Sequence, residues 1–233
     1  TIHSFPTRRS SDLEYRATGR KVITSMGDIA ASGGYYTAMA SDEIYANEGT
    51  ITGSIGVILS FYDLQGLQEM VGVKPRNVKS GEFKDIGSSS RAMTEDEHEL
   101  LEGMIDDVFD QFFQVVVDNR ESTVRKILAE QNDVKPEEVT PEEIADYLMT
   151  YCDGRIYSGR QAMEFGMIDG TMTKEEVLDH TRKLAGLDEN ATIVEAPVRP
   201  RGLFGSISGI LSKVEKLPGS AGTGVLFEYR FQP

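Results

Sequence analysis

The stretch GDIAASGGYYTAMASDEIYA places Ser32 directly after a strand-like run and directly before Gly33, Gly34 and a helix-forming segment. A serine on a strand-to-helix turn exposes its hydroxyl beside backbone N–H groups that the helix start leaves unpaired, and glycines let a substrate backbone come close. The same N–H groups could stabilise an oxyanion. A Ser-Gly-Gly turn is more often an ordinary helix cap, so the pattern needs a base before it means catalysis. Histidine is poorly supplied: His3 lies near the chain start, and His98 and His180 lie in charged helical segments. Lysine can take the role only when neutral, and at its ordinary pKa near 10.4 about one lysine in 2,500 is neutral at pH 7. A base poised near neutrality needs a drop of roughly 3 units, about 4 kcal/mol, from burial or a neighbouring cation. The segment VKSGEFKDIGSSSRAMTEDE offers Lys79 and Lys84 in a Gly- and Ser-rich loop, and spacing leaves the choice between them open.

The surrounding pattern must position these groups, and it alternates between strand and helix periods. Apolar runs at VITSM, EIYA, IGVILS and VKPRNVKS read as strands, and YYTAMA and LQGLQEMVG as helices, which is an α/β rhythm. A long helix opens at the capping box Thr94-x-x-Glu97, with Leu100, Leu101, Met104, Ile105, Val108, Phe109, Phe112 and Val116 on one face. It is expected to run to about Glu121, roughly 40 Å. Further helices are announced by Thr140-Pro141-Glu142-Glu143, by Ser158-x-x-Gln161 closing at Gly166, and by Thr173-x-x-Glu176.

Composition narrows the function. With 233 residues, 39% hydrophobic and 27% charged, the chain is long enough for a real core and is of ordinary globular composition. The net charge of −14 argues against a nucleic-acid partner and against a polybasic membrane patch. Thr94–Thr150 holds 17 acidic and 4 basic residues, so this helical arm carries nearly all of that charge, as a solvated face. One cysteine, Cys152, permits no internal disulfide, and with three histidines no Cys/His metal cluster can be assembled. No run of 18 apolar residues occurs, so the chain reads as soluble.

Three ordered blocks resemble one known family. GDIAASGGYYTAMASDEIYANEGTITGSIGVI is similar to the nucleophile segment of the signal peptide peptidase SppA family, KSGEFKDIGSSSRAMTEDE to its lysine segment, and GRIYSGRQAMEFGMIDG to its downstream Gly-Arg block. The likeness is strong over about Gly19–Gly170. It implies an α/β crotonase/Clp-peptidase-like fold with a helical arm and C-terminal tail, and a Ser/Lys-dyad serine peptidase that needs no cofactor and no metal. Matched position by position, the resemblance puts the nucleophile on Ser32, the general base on Lys84, 52 residues later, and an oxyanion donor on Gly33; Lys79 becomes structural. It further implies cleaved signal peptides and other unfolded apolar peptides as substrates, at the extracytoplasmic face of the bacterial membrane. Homo-oligomeric rings with sites completed across subunits are implied too, as is a membrane anchor upstream. Two departures stand out. The family's second oxyanion donor comes from an upstream Ser-Pro-Gly-Gly segment that is absent here, and GSSSR stands where relatives often carry proline. Two other readings compete: an inactive assembly scaffold, and a crotonase-type acyl-CoA enzyme that works without a serine nucleophile.

The ends are read separately. TIHSFPTRRSSDL has no helix or strand period, and His3–Leu13 back-translates to a codon series resembling a common short-read sequencing adapter. The expectation is an assembly artefact or disordered tail over 1–13 and a peptidase domain, N-terminally truncated, over 14–196. Over 197–233 an amphipathic helix built on Leu203, Phe204, Ile207, Ile210, Leu211, Val214 and Leu217 leads into the apolar tail VLFEYRFQP.

Overall fold

The computed structural model describes residues 4–188 and 190–194, with side chains from residue 9 onward. The chain divides into two units, Thr1–Thr171 and Met172–Pro233. The expected C-terminal helix and tail lie outside the described residues.

The first unit is mixed α/β, built on two short three-stranded sheets. Strands β1 (Ile23–Met26) and β2 (Ile29–Ala31) follow each other closely, and the short helix α2 (Gly33–Ala38) comes next. Strands β3 (Glu43–Ala46) and β4 (Ile51–Gly53) repeat the step, and β5 (Ile156–Ser158) and β6 (Gly170–Thr171) close the two sheets. One sheet runs β1-β3-β6, all parallel; the other runs β2-β4-β5, with β5 antiparallel. Each strand pair therefore lays one strand on each sheet. Tyr35, Met39, Ile44, Ile55, Ile168 and Val116 fill the core without solvent contact.

The helices follow their sequence signals closely. Helix α3 spans Gln65–Met70, α4 Glu95–Asn132, α5 Pro141–Met149 and α6 Gly159–Glu164, while α7 (Lys174–Leu184) belongs to the second unit. The capping boxes at Thr94, Thr140, Ser158 and Thr173 all form, each with its reciprocal pair of bonds. Gly159 is required by space, since a Cβ there would meet Asn47 O at 2.1 Å.

Four expectations need correction. Helix α4 has 38 residues, about 57 Å, because its apolar face continues past Val116 to Val124 and Ala129; it stops at Asp133, whose left-handed φ of 52° closes the last turn. The run IGVILS is not a strand: β4 ends at Gly53, and the left-handed φ values of Gly53 (78°) and Ser54 (53°) turn the chain out of the sheet. VKPRNVKS is also not a strand, being exposed throughout and containing Pro75, which removes a ladder donor. Finally, the segment expected to lack an element forms helix α1 (Ser4–Ala17). Pro6 sits in its first turn, where the missing N–H costs nothing, and Arg16 ties the helix down through Ala40 O at 3.0 Å and Asp42 at 3.2 Å.

Candidate active site

Ser32 sits where β2 gives way to α2. Its N–H donates to Gly53 O at 2.8 Å, the last rung beside the Ala31–Gly53 pair, and its carbonyl accepts from Tyr36 N at 2.9 Å. Between these anchors the backbone adopts φ 52° and ψ −116°. A non-glycine residue held there stores strain of about 1–3 kcal/mol, persisting because both neighbours are fixed. The side chain makes no capping bond, and among the described residues the hydroxyl has no hydrogen-bond partner. A helix-capping serine would have spent its oxygen on the first turn. What stands here is a half-buried hydroxyl on a strained strand-to-helix turn, the arrangement that presents a nucleophile. Gly33, the first helical residue, has an N–H without an intrahelical acceptor, beside that hydroxyl.

Helix α2 is pinned from behind. Tyr35 is fully buried and donates its hydroxyl to Met167 O at 2.7 Å, and burial raises its pKa above the ordinary phenol value. The loop that receives it is held by Arg120 of α4, which reaches Gly166 O at 2.8 Å and grips Asp169 with both terminal nitrogens, at 2.7 and 3.1 Å. Asp169 in turn accepts from Ile44 N at 2.8 Å. Strand β3, helix α4 and the loop 166–169 thereby fix the start of α2.

The structure separates the two lysines. Lys84 lies in a 3₁₀ turn, Glu82–Asp85, and its exposed side-chain amine has no hydrogen-bond or ion-pair partner among the described residues. Lys79 is committed to Glu82 O and Asp85 Oδ1, both at 2.7 Å. Asp85 is further gripped by Arg91, at 2.8 Å to Oδ1, and Arg91 also binds both carboxylate oxygens of Glu97 at the start of α4. Bonds from Arg91 and then Lys79 hold Asp85 well below the usual carboxylate range, and Arg91 with the Thr94 N–H lowers Glu97 to about 2. The turn's exit is shaped by Gly87, at φ 73°, against which the Phe61 ring lies so closely that a Cβ would meet it at 2.2 Å.

Ser32 and Lys84 are not hydrogen-bonded to each other within the chain. An open groove of about 510 Å³ lies not at Ser32 but at the other ends of β2 and β4, lined by Asp28, Ile29, Asn47, Gly49, Thr50 and Ile51. The clamp of Asp85, Arg91 and Glu97 and the anchor of Tyr35, Arg120 and Asp169 were not read from sequence. Glu97 was visible only as a capping residue, and Arg91 only within the unusual GSSSR.

Comparison with known proteins settles the family. Residues 14–133 match the family described as Peptidase family S49. The chain belongs to that family. It is 36% identical over 202 residues to a Synechocystis protein carrying a provisional protease name, covering 87% of this chain and 65% of that protein. A provisionally named signal peptide peptidase SppA of Enterococcus faecium is 37% identical over 174 residues, covering 75% of this chain and 44% of that protein. Serine protease SPPA of Arabidopsis thaliana, a chloroplastic protein, is 30% identical over 213 residues, covering 88% and 28%. The chain thus spans less than two thirds of each of these relatives. No described helix is long and apolar enough to cross a membrane.

Proposed function

We propose that this S49 protein is a serine peptidase in which Ser32 is the nucleophile and Lys84 the general base. The observation that carries the reading is the Ser32 backbone, strained at φ 52° and ψ −116° while its hydroxyl caps nothing. In the reaction, Ser32 Oγ attacks a peptide carbonyl as neutral Lys84 takes the hydroxyl proton. Gly33 N–H stabilises the oxyanion. Lys84 returns the proton to the departing amine, leaving an acyl-serine. Water then attacks the ester with Lys84 again as base, and Ser32 is regenerated.

Within this reading the fold is of crotonase/Clp-peptidase type, and the peptidase domain spans 14–196. The substrates are cleaved signal peptides and other unfolded apolar peptides, met at the extracytoplasmic face of a bacterial membrane through an anchor upstream. The site is completed across subunits of a homo-oligomeric ring. Three features support that last point: Lys84 stands in solvent, it makes no bond to Ser32 of its own chain, and the segment before it exposes Ile58, Tyr62, Met70 and Val71. Assembly would bury the lysine, as a neutral amine base requires.

The test is hydrolysis of an unfolded apolar peptide by the assembled protein, by Ser32→Ala, by Lys84→Ala and by the two variants mixed. Each variant alone is expected to be inactive. A one-to-one mixture should regain roughly a quarter of the wild-type sites, because random assembly pairs an intact Ser32 with an intact Lys84 of another subunit at that frequency. Full activity in either single variant contradicts the dyad; two inactive variants whose mixture stays inactive contradict the shared site.

A further inference from the structure

Arg91 occupies a position that the dyad alone does not explain. Its guanidinium bridges two carboxylates from different elements: Asp85, next to Lys84 on the 3₁₀ turn, and Glu97, in the first turn of α4. Glu97 is almost fully buried and already spends a second bond on Thr94 N at 3.0 Å, so it is a fixed post. Arg91 also donates to the Asp85 carbonyl at 3.3 Å and to Ala92 O at 3.1 Å, which ties both ends of the loop 85–92. On the other side, Lys79 closes on Asp85 Oδ1 and on Glu82 O. The exit of the turn is held too, since Leu64 N donates to Ser89 O at 2.8 Å.

The charges in this cluster balance. Two cations, Lys79 and Arg91, meet two anions, Asp85 and Glu97, and Lys84 is left over. Asp85 is the carboxylate nearest to Lys84 in sequence, and with both cations on it that carboxylate is not available to the neighbouring ammonium. An anion paired with Lys84 would favour its protonated form, which cannot act as a base. Other carboxylates near the turn in sequence or on the elements joined to it include Glu82 on the turn itself, Asp63 and Glu69 on the segment joined to it through Leu64, and Glu95, Asp96 and Glu99 at the start of α4; none is bonded to Lys84 among the described residues.

We propose that Arg91 is a positioning residue for the general base: it docks the Lys84 turn onto the start of α4 and withholds Asp85 from Lys84. This rests on the assignment of Lys84 as base. Arg91 does not touch the reacting atoms. It acts through Asp85, and it needs the two-pronged guanidinium because a lysine ammonium could not hold both carboxylates in the same fork.

The experiment measures the rate at which a fluorophosphonate probe labels Ser32 in the assembled protein, as a function of pH. It compares wild type, Arg91→Gln, Arg91→Lys, the double variant Arg91→Gln/Asp85→Asn, and Lys84→Ala, with thermal melting and assembly size checked for each. In Arg91→Gln, Lys79 stays on Asp85 Oδ1 while Oδ2 loses its Arg91 partner, and pairing of that oxygen with Lys84 should slow labelling about tenfold at pH 7 and move the pH–rate profile to higher pH by about one unit. Removing the carboxylate in the double variant should return the profile to its wild-type position while the rate stays low. Arg91→Lys should show a smaller displacement in the same direction, and it carries the test if Arg91→Gln does not fold. Profiles of Arg91→Gln and Arg91→Lys that coincide with wild type overturn the proposal, as does a slow Arg91→Gln whose profile is unmoved. If wild type is unlabelled at Ser32, or Lys84→Ala labels as fast as wild type, the dyad reading itself has failed.

Discussion

Tyr35 and Met167 stand 132 positions apart in sequence, yet the Tyr35 hydroxyl donates to the Met167 carbonyl at 2.7 Å inside the core. The bond fastens the first turn of α2, three residues beyond Ser32, to the loop that precedes β6. Removing the hydroxyl leaves a buried carbonyl without its donor, which costs about 1–3 kcal/mol. Tyr35→Phe should therefore lower the free energy of unfolding by that amount in urea titration, with little change in the dependence on denaturant. A Tyr35→Phe protein as stable as wild type would mean that the carbonyl finds another donor.

The guanidinium that braces the same loop should matter more. Arg120 is 2% exposed, whereas the Asp169 side chain keeps 24% of its surface in solvent. Breaking a buried pair by removing one partner costs about 3–5 kcal/mol, and the half-open aspartate places this pair near the lower end. Arg120→Ala should lose about 3 kcal/mol in chemical denaturation, and Asp169→Asn, which keeps an acceptor oxygen, should lose less.

Backbone strain at Ser32 predicts an unusual ordering. Glycine adopts φ 52° without penalty, whereas alanine keeps the Cβ that opposes it. Ser32→Gly should be about 1 kcal/mol more stable than Ser32→Ala, and both should be inactive. Thermal melting of the two variants provides the comparison, and equal stabilities would mean that the turn is not strained.

The clamp also sets an acid limit. Glu97 is lowered from 4.5 to about 2 by Arg91 and the Thr94 N–H, so the folded state holds its proton more weakly than the unfolded state does. Its contribution is fully present above pH 4.5 and is lost as pH falls toward 2. Between those limits wild type should lose stability with falling pH more steeply than Glu97→Gln. Parallel stability curves for the two proteins would show that Glu97 is not held by Arg91.

Local signals in this chain were legible because they are self-contained. A capping box spans four residues, and all four expected boxes form. The β1, β3 and α2 segments likewise carry their own periods. Ser32 was legible as a candidate because strand, glycine pair and helix adjoin it, but only its dihedral angles show that the side chain is not a cap. The failures share a cause in distant or backbone-level constraint. Apolar residues at 55–60 satisfy a strand pattern, while consecutive left-handed residues at 53 and 54 end the strand before them. The 73–80 run has strand composition but pairs with no strand among the described residues. Arg91 reaches Asp85 and Glu97 from a loop, and Arg120 reaches Asp169 across 49 positions, and neither spacing has a period that a sequence pattern reveals.

The most direct test of the central claim is mass-spectrometric mapping of the fluorophosphonate adduct on the assembled protein. The Ser32–Lys84 account predicts one adduct, on the peptide containing Ser32, absent from both Ser32→Ala and Lys84→Ala although each remains folded and assembled. An adduct on another residue, or undiminished labelling of Ser32 in Lys84→Ala, would contradict it.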